Sequence, residues 1–427
     1  MPPDMSDAQE VLIDNLNRRG EGVASAPRKL AIAGALPGER VTAALHGERG
    51  VIVEIAKASA ERATPICRYF GSCGGCAAQH MSASLYASWK RQILVDALAQ
   101  AGVRAQVGAL LDAHGEGRRR ATFHARYDEP GSAGILGFMR ARTHEIIAIE
   151  ECPVLAPGMA GALSATRRIT HDLRGIGKPL DITATATLTG LDIDIRGTGP
   201  IEAPFIKKLI ETAKQADLAR LSNHGAIIIE RRTPEVAMGA ATVCPPPGGF
   251  LQATIAGENA LASLALAGAK GAKRVADLFC GSGAIALRLA AEHNVWAFDI
   301  EGPALAALSR AVGQTPSLRP IMAEARDLFH RPLQGAELKD YDAVCFDPPR
   351  AGAQAQAREL AASLVPTVVA ISCNAASFAR DARTLIEGGY VIEPVMPIDQ
   401  FRFSPHLETV AVFRRPRVAK RQRSMLS

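Results

Sequence analysis

The sequence predicts an α/β protein in three parts: an OB-like barrel at 1–60, an α+β middle region at 61–245 and a doubly wound sheet at 246–427. Short β-rich runs in the first part are broken by glycines and by a Pro-Gly pair. The middle region mixes a helical segment at 82–101 with alternating strands. In the last part, short apolar runs alternate with helical segments and predict seven strands.

Length and composition limit the class of protein. The chain has 427 residues, of which 48% are apolar, which is enough for two or three domains with sizeable cores. No apolar run approaches the roughly 20 residues that span a bilayer, and the N-terminus shows no apolar signal segment. Eight irregularly spaced cysteines do not indicate a disulfide scaffold. We therefore expect a cytoplasmic monomer whose cysteines serve metal or catalytic chemistry.

The positive charge is concentrated near the C-terminus. The net charge is +6, and six Lys/Arg lie in RRPRVAKRQR at 414–423. Such a tail can neutralise RNA or DNA phosphates, and smaller clusters at 118–120 and 231–232 favour that interpretation. A solvated tail that keeps the protein soluble explains the charge equally well. The barrel leaves a similar choice, because OB-like modules bind single-stranded nucleic acid or act as spacers.

A glycine-rich loop predicts a cofactor site in the last part of the chain. The segment VADLFCGSGAIALRLA predicts a strand, a turn with Gly281 and Gly283, and a helix. Glycine lets the backbone approach a ligand at the helix N-terminus. Asp299 ends the next predicted strand, where an acid can bind ribose hydroxyls. NAD-binding and S-adenosylmethionine-binding folds both use this arrangement.

The segment FDPPR, residues 346–350, distinguishes an S-adenosylmethionine-binding fold from an NAD-binding fold. It follows the fourth predicted strand and resembles motif IV of class I methyltransferases, while DLFCGSG resembles their motif I. A dehydrogenase is not expected to carry both. A Pro-Pro turn that merely ends a strand leaves Asp347 and Arg350 unexplained. The last part is therefore predicted to have the Rossmann-like, seven-stranded class I methyltransferase fold.

Cys373 is the candidate nucleophile. The run TVVAIS predicts a buried parallel strand, so Cys373 lies at the C-terminal edge where such sheets bind ligands. A thiolate that adds to C6 of uracil makes C5 nucleophilic enough to take a methyl group. A base must then remove the C5 proton, and Glu408 begins the last predicted strand. In the class I fold that strand runs antiparallel between strands five and six, which brings Asp347, Cys373 and Glu408 to one edge.

Three motifs resemble those of the RNA uracil-5-methyltransferase family, in the branch with an N-terminal TRAM domain and an iron-sulfur cluster. FLQ at 250–252 matches FxQ, SCN at 372–374 matches SCNP with Ala375 in place of proline, and HLE at 406–408 matches HxE. The resemblance implies that Cys373 is the nucleophile and Glu408 the base. It also implies that the following residues bind S-adenosylmethionine: Gln252, Phe279, Gly281, Gly283, Asp299, Asp327 and Asp347.

Three further positions depart from the family pattern or lack a role in it. Ala284 follows the second glycine where some members carry a polar residue, and Thr254 stands where many carry Asn. These changes affect individual contacts and not the predicted fold. His406 receives no role, because a packed, hydrogen-bonded histidine is the commoner case.

Four cysteines predict a metal site in the middle region. CRYFGSCGGC places Cys67, Cys73 and Cys76 in a C-x5-C-x2-C pattern, and Cys152 is the best-placed fourth thiolate. Spacing alone fits zinc or an iron-sulfur cluster equally. The family resemblance favours [4Fe-4S] with a structural or RNA-binding role, since methyl transfer needs no redox step. Cys244 has no interpretation.

Two other functions remain open at this point. An RNA cytosine-5-methyltransferase also uses a cysteine at C6. Enzymes of that class resemble one another in carrying a second cysteine at motif IV, where this chain has Asp347. A non-catalytic RNA-binding protein would not need Cys373 and Glu408. The barrel and cysteine motif favour large-subunit rRNA over tRNA by analogy with the family. No motif identifies the uridine.

Overall fold

The computed structural model describes residues 8–25 and 28–416. Within these ranges the strands form three larger sheets and one two-stranded hairpin. The described helices include none that is both long and apolar enough to cross a membrane.

The first sheet has six strands and encloses a small apolar core. Its order is β1-β5-β6-β4-β3-β2, and all neighbours are antiparallel except β4 and β6. Val41, Ala43 and Ile32 are among the fully buried core residues. Gly50 allows the tight curvature, since a Cβ there would come within 2.6 Å of Ile32. The strands are β1 (Ala8–Leu12), β2 (Asn15–Leu16), β3 (Gly22–Ala24), β4 (Leu30–Ala33), β5 (Arg40–His46) and β6 (Arg49–Lys57).

The second sheet has seven strands and follows helix α1 (Ala83–Gln100) and strand β7 (Leu111–Asp112). Its order is β10-β9-β8-β11-β12-β13-β14, in which only the described pair β12–β13 is parallel. Helices α2 (Ala162–Asp172) and α3 (Ala203–Gln215) bury their apolar faces on this sheet. The strands are β8 (Arg120–Arg126), β9 (Ile135–Met139), β10 (Ile146–Ala148), β11 (Leu180–Thr187), β12 (Gly190–Arg196), β13 (Arg220–Asn223) and β14 (Ala226–Glu230).

The third sheet has nine strands and follows the hairpin β15 (Val236–Met238) and β16 (Ala241–Val243). Five parallel strands form its first half: β17 (Arg274–Leu278), β18 (Asn294–Asp299), β19 (Ile321–Ala325), β20 (Ala343–Phe346) and β21 (Thr367–Ser372). The other half contains β22 (Val391–Ile392), β23 (Met396–Asp399) and β24 (Glu408–Arg414), with β7 at the edge.

The order β19-β18-β17-β20-β21-β24-β23 confirms the class I methyltransferase fold. β24 runs antiparallel between β21 and β23, as expected. The sixth predicted strand is divided into β22 and β23, because Pro394 between them has no amide hydrogen for the ladder. The helices of this part are α4 (Ile255–Gly268), α5 (Ala286–Leu289), α6 (Gly302–Gly313), α7 (Gly335–Leu338), α8 (Gln354–Ala362) and α9 (Ala375–Glu387).

Helix α1 and strand β7 pack on the third sheet, although the sequence assigned them to the middle region. β7 pairs with β23, and α1 shares an apolar core with α9 and β21. The fully buried Lys90 of α1 forms an ion pair with Asp399, and Tyr86 Oη donates to the same carboxylate at 2.5 Å. A buried charge needs such a partner, so these contacts fix α1 to the end of β23.

Candidate active site

Two carboxyl groups and one thiol meet where the parallel strands end. Asp347 follows β20, Cys373 follows β21 and Glu408 begins β24. Because Ser372 is opposite Thr409 in the antiparallel pair, the start of β24 lies beside the end of β21. The negative charges of Glu408 and Asp347 both act on the Cys373 thiol. This edge can therefore offer a nucleophile and a base to one substrate.

An amide network joins the two carboxyl groups. Gln252 Nε2 donates to Asp347 Oδ2 at 3.1 Å, and Gln400 Nε2 donates to Gln252 Oε1 at 2.6 Å and to Glu408 Oε1 at 2.9 Å. Burial raises the pKa of Asp347 to about 7, although the Gln252 hydrogen bond lowers it. Burial, and then the charge of Asp347, raise the pKa of Glu408 to about 8. A single negative charge is thus favoured over two at neutral pH.

Cys373 is half-buried and mostly protonated in this environment. Burial, followed by the charges of Glu408 and Asp347, raises the pKa of its thiol to about 11. Arg350 acts in the opposite direction. Its guanidinium contacts the His406 ring at 2.9 Å. Partial burial and the charge of Arg350 lower the pKa of His406, so this ring is neutral at pH 7 and cannot supply a cation.

The glycine loop lies at the ends of β17 and β18 and leaves open space beside Gly281. Gly281 has φ of 54°, its N–H donates to Asp299 Oδ2 at 2.8 Å, and a Cβ there would meet no atom within 4 Å. Gly283 has a packing role instead, because a Cβ would lie 2.5 Å from Leu308. Phe279 has φ of 63°, in the left-handed region that non-glycine residues rarely adopt. The loop thus leaves space for a ligand next to Asp299.

Asp327 lies in the turn that follows β19. Its carboxylate accepts from Phe329 N at 2.9 Å and lies 2.7 Å from His330 Nδ1, which holds the pKa of Asp327 below its usual value. The turn presents the Phe329 ring to Phe279, with ring centroids 5.4 Å apart. Asp327 therefore positions an exposed aromatic ring beside the glycine loop.

Asp277 is a buried acid that the sequence interpretation did not single out. It lies in β17 directly before the loop, and its Oδ2 has no hydrogen-bond partner among the described residues. Burial raises its pKa well above the usual value. The signal was present in the sequence, since an Asp inside the apolar run VADLF is unusual. An unpartnered buried oxygen beside open space fits a ligand that carries hydrogen-bond donors.

A groove of about 980 Å³ runs from the active-site edge to the first sheet. Cys373, Asn374 and Arg350 line one side of it. The residues of the first sheet on the other side are Asn15, Leu16, Asn17, Arg18, Arg19, Val23, Ser25 and Lys29. The groove is therefore lined by cations and amides on the barrel side and by the thiol on the other.

The four predicted metal ligands line a different cavity, of about 370 Å³. Cys67, Cys73, Cys76 and Cys152 are all free thiols, and burial followed by interaction with the other thiols raises the pKa of Cys152 to about 11. The described residues nevertheless include no group of three or more ligands arranged to hold one metal ion.

The predicted cationic clusters differ from the expectation. Arg119 is buried against Glu258, and Arg231 and Arg232 pair with Asp217 at 2.6 and 2.9 Å. Arg119 is therefore neutralised inside the protein, whereas Arg231 and Arg232 form an exposed cluster with Asp217, and phosphate binding by the remaining arginines stays a prediction.

The tail also begins later than predicted. Arg414 belongs to β24 and pairs with Glu393, and the Arg415 guanidinium lies 4.3 Å from the Tyr390 ring centroid. The remaining cations of the tail lie beyond residue 416, outside the described residues.

Two departures from the family pattern have local explanations. Ala375 is the first residue of α9, and Asn374 caps this helix by accepting from Ala376 N at 3.0 Å. Proline or alanine suits such a position. Thr254 caps α4 by accepting from Gly257 N at 2.9 Å and donates to Ala113 O at 2.6 Å. Neither change disturbs the thiol or Gln252.

Known proteins are similar to this chain in sequence. A family model described as tRNA (Uracil-5-)-methyltransferase matches residues 250–415. An uncharacterized RNA methyltransferase of Agrobacterium fabrum is 45% identical over 95% of this chain and 99% of its own length. The 23S rRNA (uracil(1939)-C(5))-methyltransferase RlmD of Halomonas elongata is 31% identical over 97% of this chain and 91% of its own.

A solved structure has the same architecture. The tRNA (uracil-54, C5)-methyltransferase of Pyrococcus abyssi, crystallised with S-adenosyl-L-homocysteine, superposes with a TM-score of 0.72 over 95% of this chain and all of its own, at 20% identity. At that identity the match shows the fold alone. Taken with the full-length relatives, the motifs and the strand order show that this chain belongs to the RNA uracil-5-methyltransferase family.

Proposed function

We propose that this protein transfers a methyl group from S-adenosylmethionine to C5 of a uridine in RNA, through a covalent adduct of Cys373 at C6. One observation carries the proposal. A thiol and an unpaired carboxylate oxygen, from segments separated in sequence, lie on adjacent ends of β21 and β24. Covalent activation of an electron-poor ring needs these two groups at one place.

The proposed reaction balances as follows. The Cys373 thiol loses its proton to solvent, its sulfur bonds to C6, and the electrons of the C5–C6 double bond are delocalised so that C5 becomes nucleophilic. S-adenosylmethionine would supply an electrophilic methyl group, which C5 accepts as S-adenosylhomocysteine leaves. Glu408 then removes the C5 proton, the double bond re-forms and the sulfur leaves as a thiolate. The proton displaced by the methyl group ends on the carboxylate.

The charges around Cys373 explain when attack can occur. With a pKa of about 11 the thiol is almost entirely protonated at neutral pH. Arg350 favours the thiolate, and a cationic methyl donor beside Asp347 would offset the carboxylates that oppose it. We therefore expect Cys373 to become reactive once donor and substrate are both bound, which protects the free enzyme from side reactions.

The residues around the glycine loop fit S-adenosylmethionine. Asp299, the open face of Gly281 and the unpartnered Asp277 Oδ2 would bind it near the ends of β17 and β18. Gln252 and Asp347 would hold its reactive end next to Cys373. The exposed Phe329 ring offers an apolar surface beside the glycine loop.

We propose RNA, and specifically large-subunit rRNA, as the substrate. The groove of about 980 Å³ is long enough to involve the first sheet as well as Cys373, which favours a polymer over a free nucleoside. The relative from Halomonas elongata is named as a 23S rRNA enzyme. With such a substrate we expect a cytoplasmic enzyme that acts as a monomer.

The cytosine reaction has less support. A cytosine-5-methyltransferase would need a second thiol beside Asp347, and Cys345, the nearest cysteine in sequence, is 0% exposed inside β20.

The test is methyl incorporation from labelled S-adenosylmethionine into RNA from cells that lack the gene. We expect 5-methyluridine at a defined rRNA position, formed by the intact protein and not by Cys373→Ala. Incorporation into tRNA alone would change the proposed substrate, and no incorporation into any uridine would favour a binding protein.

We further propose that Cys67, Cys73, Cys76 and Cys152 hold a [4Fe-4S] cluster. The support is an all-thiol lining around one cavity of about 370 Å³. A four-iron cluster is far larger than one ion, so its thiolates bind separate corners and can stand further apart than the ligands of zinc. Gly74 brings the loop close to β9, since its N–H donates to Met139 O at 2.9 Å. The cluster would serve as a structural or RNA-binding element.

A further inference from the structure

Gln400 is a buried amide at the centre of the active-site network. It directly follows β23 and is 0% exposed. Its Oε1 accepts from Thr254 N at 3.3 Å, while Nε2 donates to Gln252 and Glu408. A backbone N–H can only donate, so Oε1 must face Thr254 and both hydrogens of Nε2 must point to the catalytic side.

This orientation determines what Gln252 and Glu408 can do. Gln252 Oε1 is occupied by Gln400, so Gln252 Nε2 is directed to Asp347. Glu408 Oε1 is likewise occupied, whereas its Oε2 is buried and has no hydrogen-bond partner among the described residues. Leaving a buried carboxylate oxygen unpaired destabilises the folded protein, because the hydrogen bonds lost to water are not replaced. At the cost of stability, the network therefore leaves Oε2 without a competing partner among the described residues, so that it can take a proton once Glu408 is ionised.

We propose that Gln400 is a positioning residue that holds Glu408 so that Oε2 takes the C5 proton of the substrate. The inference rests on the proposed function, because it assigns Glu408 as the base. In the step concerned, Oε2 bonds to the proton, the C5–H electrons form the C5–C6 double bond, and the C6–S bond breaks to release the Cys373 thiolate. Gln400 touches neither the substrate nor the sulfur in this step.

The experiment compares Gln400→Met with a matched control, Gln356→Met. Methionine keeps the length of the side chain but cannot donate hydrogen bonds. Gln356 is also 0% exposed and makes two hydrogen bonds against the three of Gln400; it accepts from Leu333 N at 2.9 Å and donates to Leu333 O at 3.0 Å, away from the active site. Both variants therefore lose similar buried contacts, and only one loses its contact to Glu408.

The readout is a rapid-quench single turnover with methyl-labelled donor and RNA, followed on a denaturing gel. For Gln400→Met we expect the methylated adduct to decay about 10- to 100-fold more slowly, and adduct formation to slow by a smaller factor because the contact to Gln252 is also lost. Gln356→Met should form and resolve the adduct normally, whatever its melting temperature. Gln400→Leu, which also lacks the donor and carries no charge, repeats the test if the methionine variant does not fold.

A pH profile separates positioning from a purely structural role. Burial and then the charge of Asp347 raise the pKa of Glu408, whereas the hydrogen bond from Gln400 and the charges of Arg350 and Lys90 lower it. Of these influences on the pKa of Glu408, Gln400→Met removes only the hydrogen bond from Gln400. The pKa of Glu408 therefore rises, and the increase of the adduct decay rate with pH should move to higher pH. Cys373, also at this edge, is bonded to the RNA during this step and does not titrate.

Three outcomes would overturn the inference. Adduct decay in Gln400→Met that equals the unchanged protein at every pH would show that Glu408 needs no such support, while the proposed function would stand. Equal slowing in Gln356→Met would make the effect one of general stability. If the unchanged protein forms neither adduct nor 5-methyluridine, the proposed function fails and the inference fails with it.

Discussion

Replacing Glu408 by glutamine should trap RNA on the enzyme. Glutamine keeps the shape of the side chain and can still accept the hydrogen bond from Gln400 Nε2. It cannot take a proton from carbon, and a positioned base typically contributes about 10²–10⁴-fold, or roughly 3–5 kcal/mol of barrier. The charge of Glu408 also raises the pKa of Cys373, so its removal favours the thiolate and does not slow attack. Adduct formation should therefore continue while adduct decay almost stops.

The assay is a denaturing gel of enzyme incubated with RNA and methyl-labelled S-adenosylmethionine. Glu408→Gln should give a labelled band of raised mass that contains most of the active enzyme. Cys373→Ala and the double variant should give no band, because no sulfur attacks C6. Glu387→Gln is the matched control, since this glutamate is exposed on α9 and pairs only with Arg383 among the described residues. It should turn over normally.

Two results would refute the reasoning. Normal turnover by Glu408→Gln would mean that another group removes the proton. Methylation of uridine by Cys373→Ala would exclude the covalent mechanism altogether, whatever the behaviour of the glutamate.

Three further predictions concern stability, metal and RNA binding. The pKa of Glu408 is about 8 in the folded protein against 4.5 ordinarily, so the native state holds the extra proton between these values and the free energy of unfolding falls as pH rises from about 5 to 8. Glu408→Gln should lose this slope in urea titrations, and an equal slope would contradict the raised pKa. Anaerobically purified protein should be brown and contain iron and sulfide. Cys152→Ser should lose the iron, whereas Cys244→Ser, which alters a thiol beside Arg220, should keep it; zinc without iron, or full iron in both variants, would contradict the assignment. Deleting residues 417–427 removes four Lys/Arg while leaving β24 intact, and should lower the slope of log K against log salt by up to about 3 for single-stranded RNA. An unchanged slope would support a tail that is only solvated.

The sequence predicted where most site residues lie, because the end of a strand is a local feature of the sequence. A short apolar run followed by Ser-Cys-Asn marks the end of β21, and FDPP marks the end of β20 in the same way. In a parallel sheet these ends share one edge, so the sequence alone predicts that Asp347 and Cys373 lie close together. Placing Glu408 at this edge also required the antiparallel direction of the last strand, which is a property of the class I fold.

Charge in the sequence was a poorer guide. The run Arg118–Arg120 suggested a phosphate-binding cluster, yet Arg119 is buried against Glu258 from α4, more than a hundred residues away. Composition records how many charges a segment has and not which partner neutralises them. Such partners depend on how α4 packs against the strand that follows Arg119, which is a tertiary contact.

By itself, the sequence determined the class I sheet, the glycine loop, the nucleophile and the candidate base, since periodicity and turn residues encode where strands end. The tertiary structure decided which hydrogen bonds connect these groups. Gln400 meets Glu408 because Ile398 pairs with Glu408 in the β23–β24 register, and it meets Gln252 because the segment before α4 crosses the same edge. Contacts between distant segments depend on register and packing of whole elements, and no pattern within either segment specifies them.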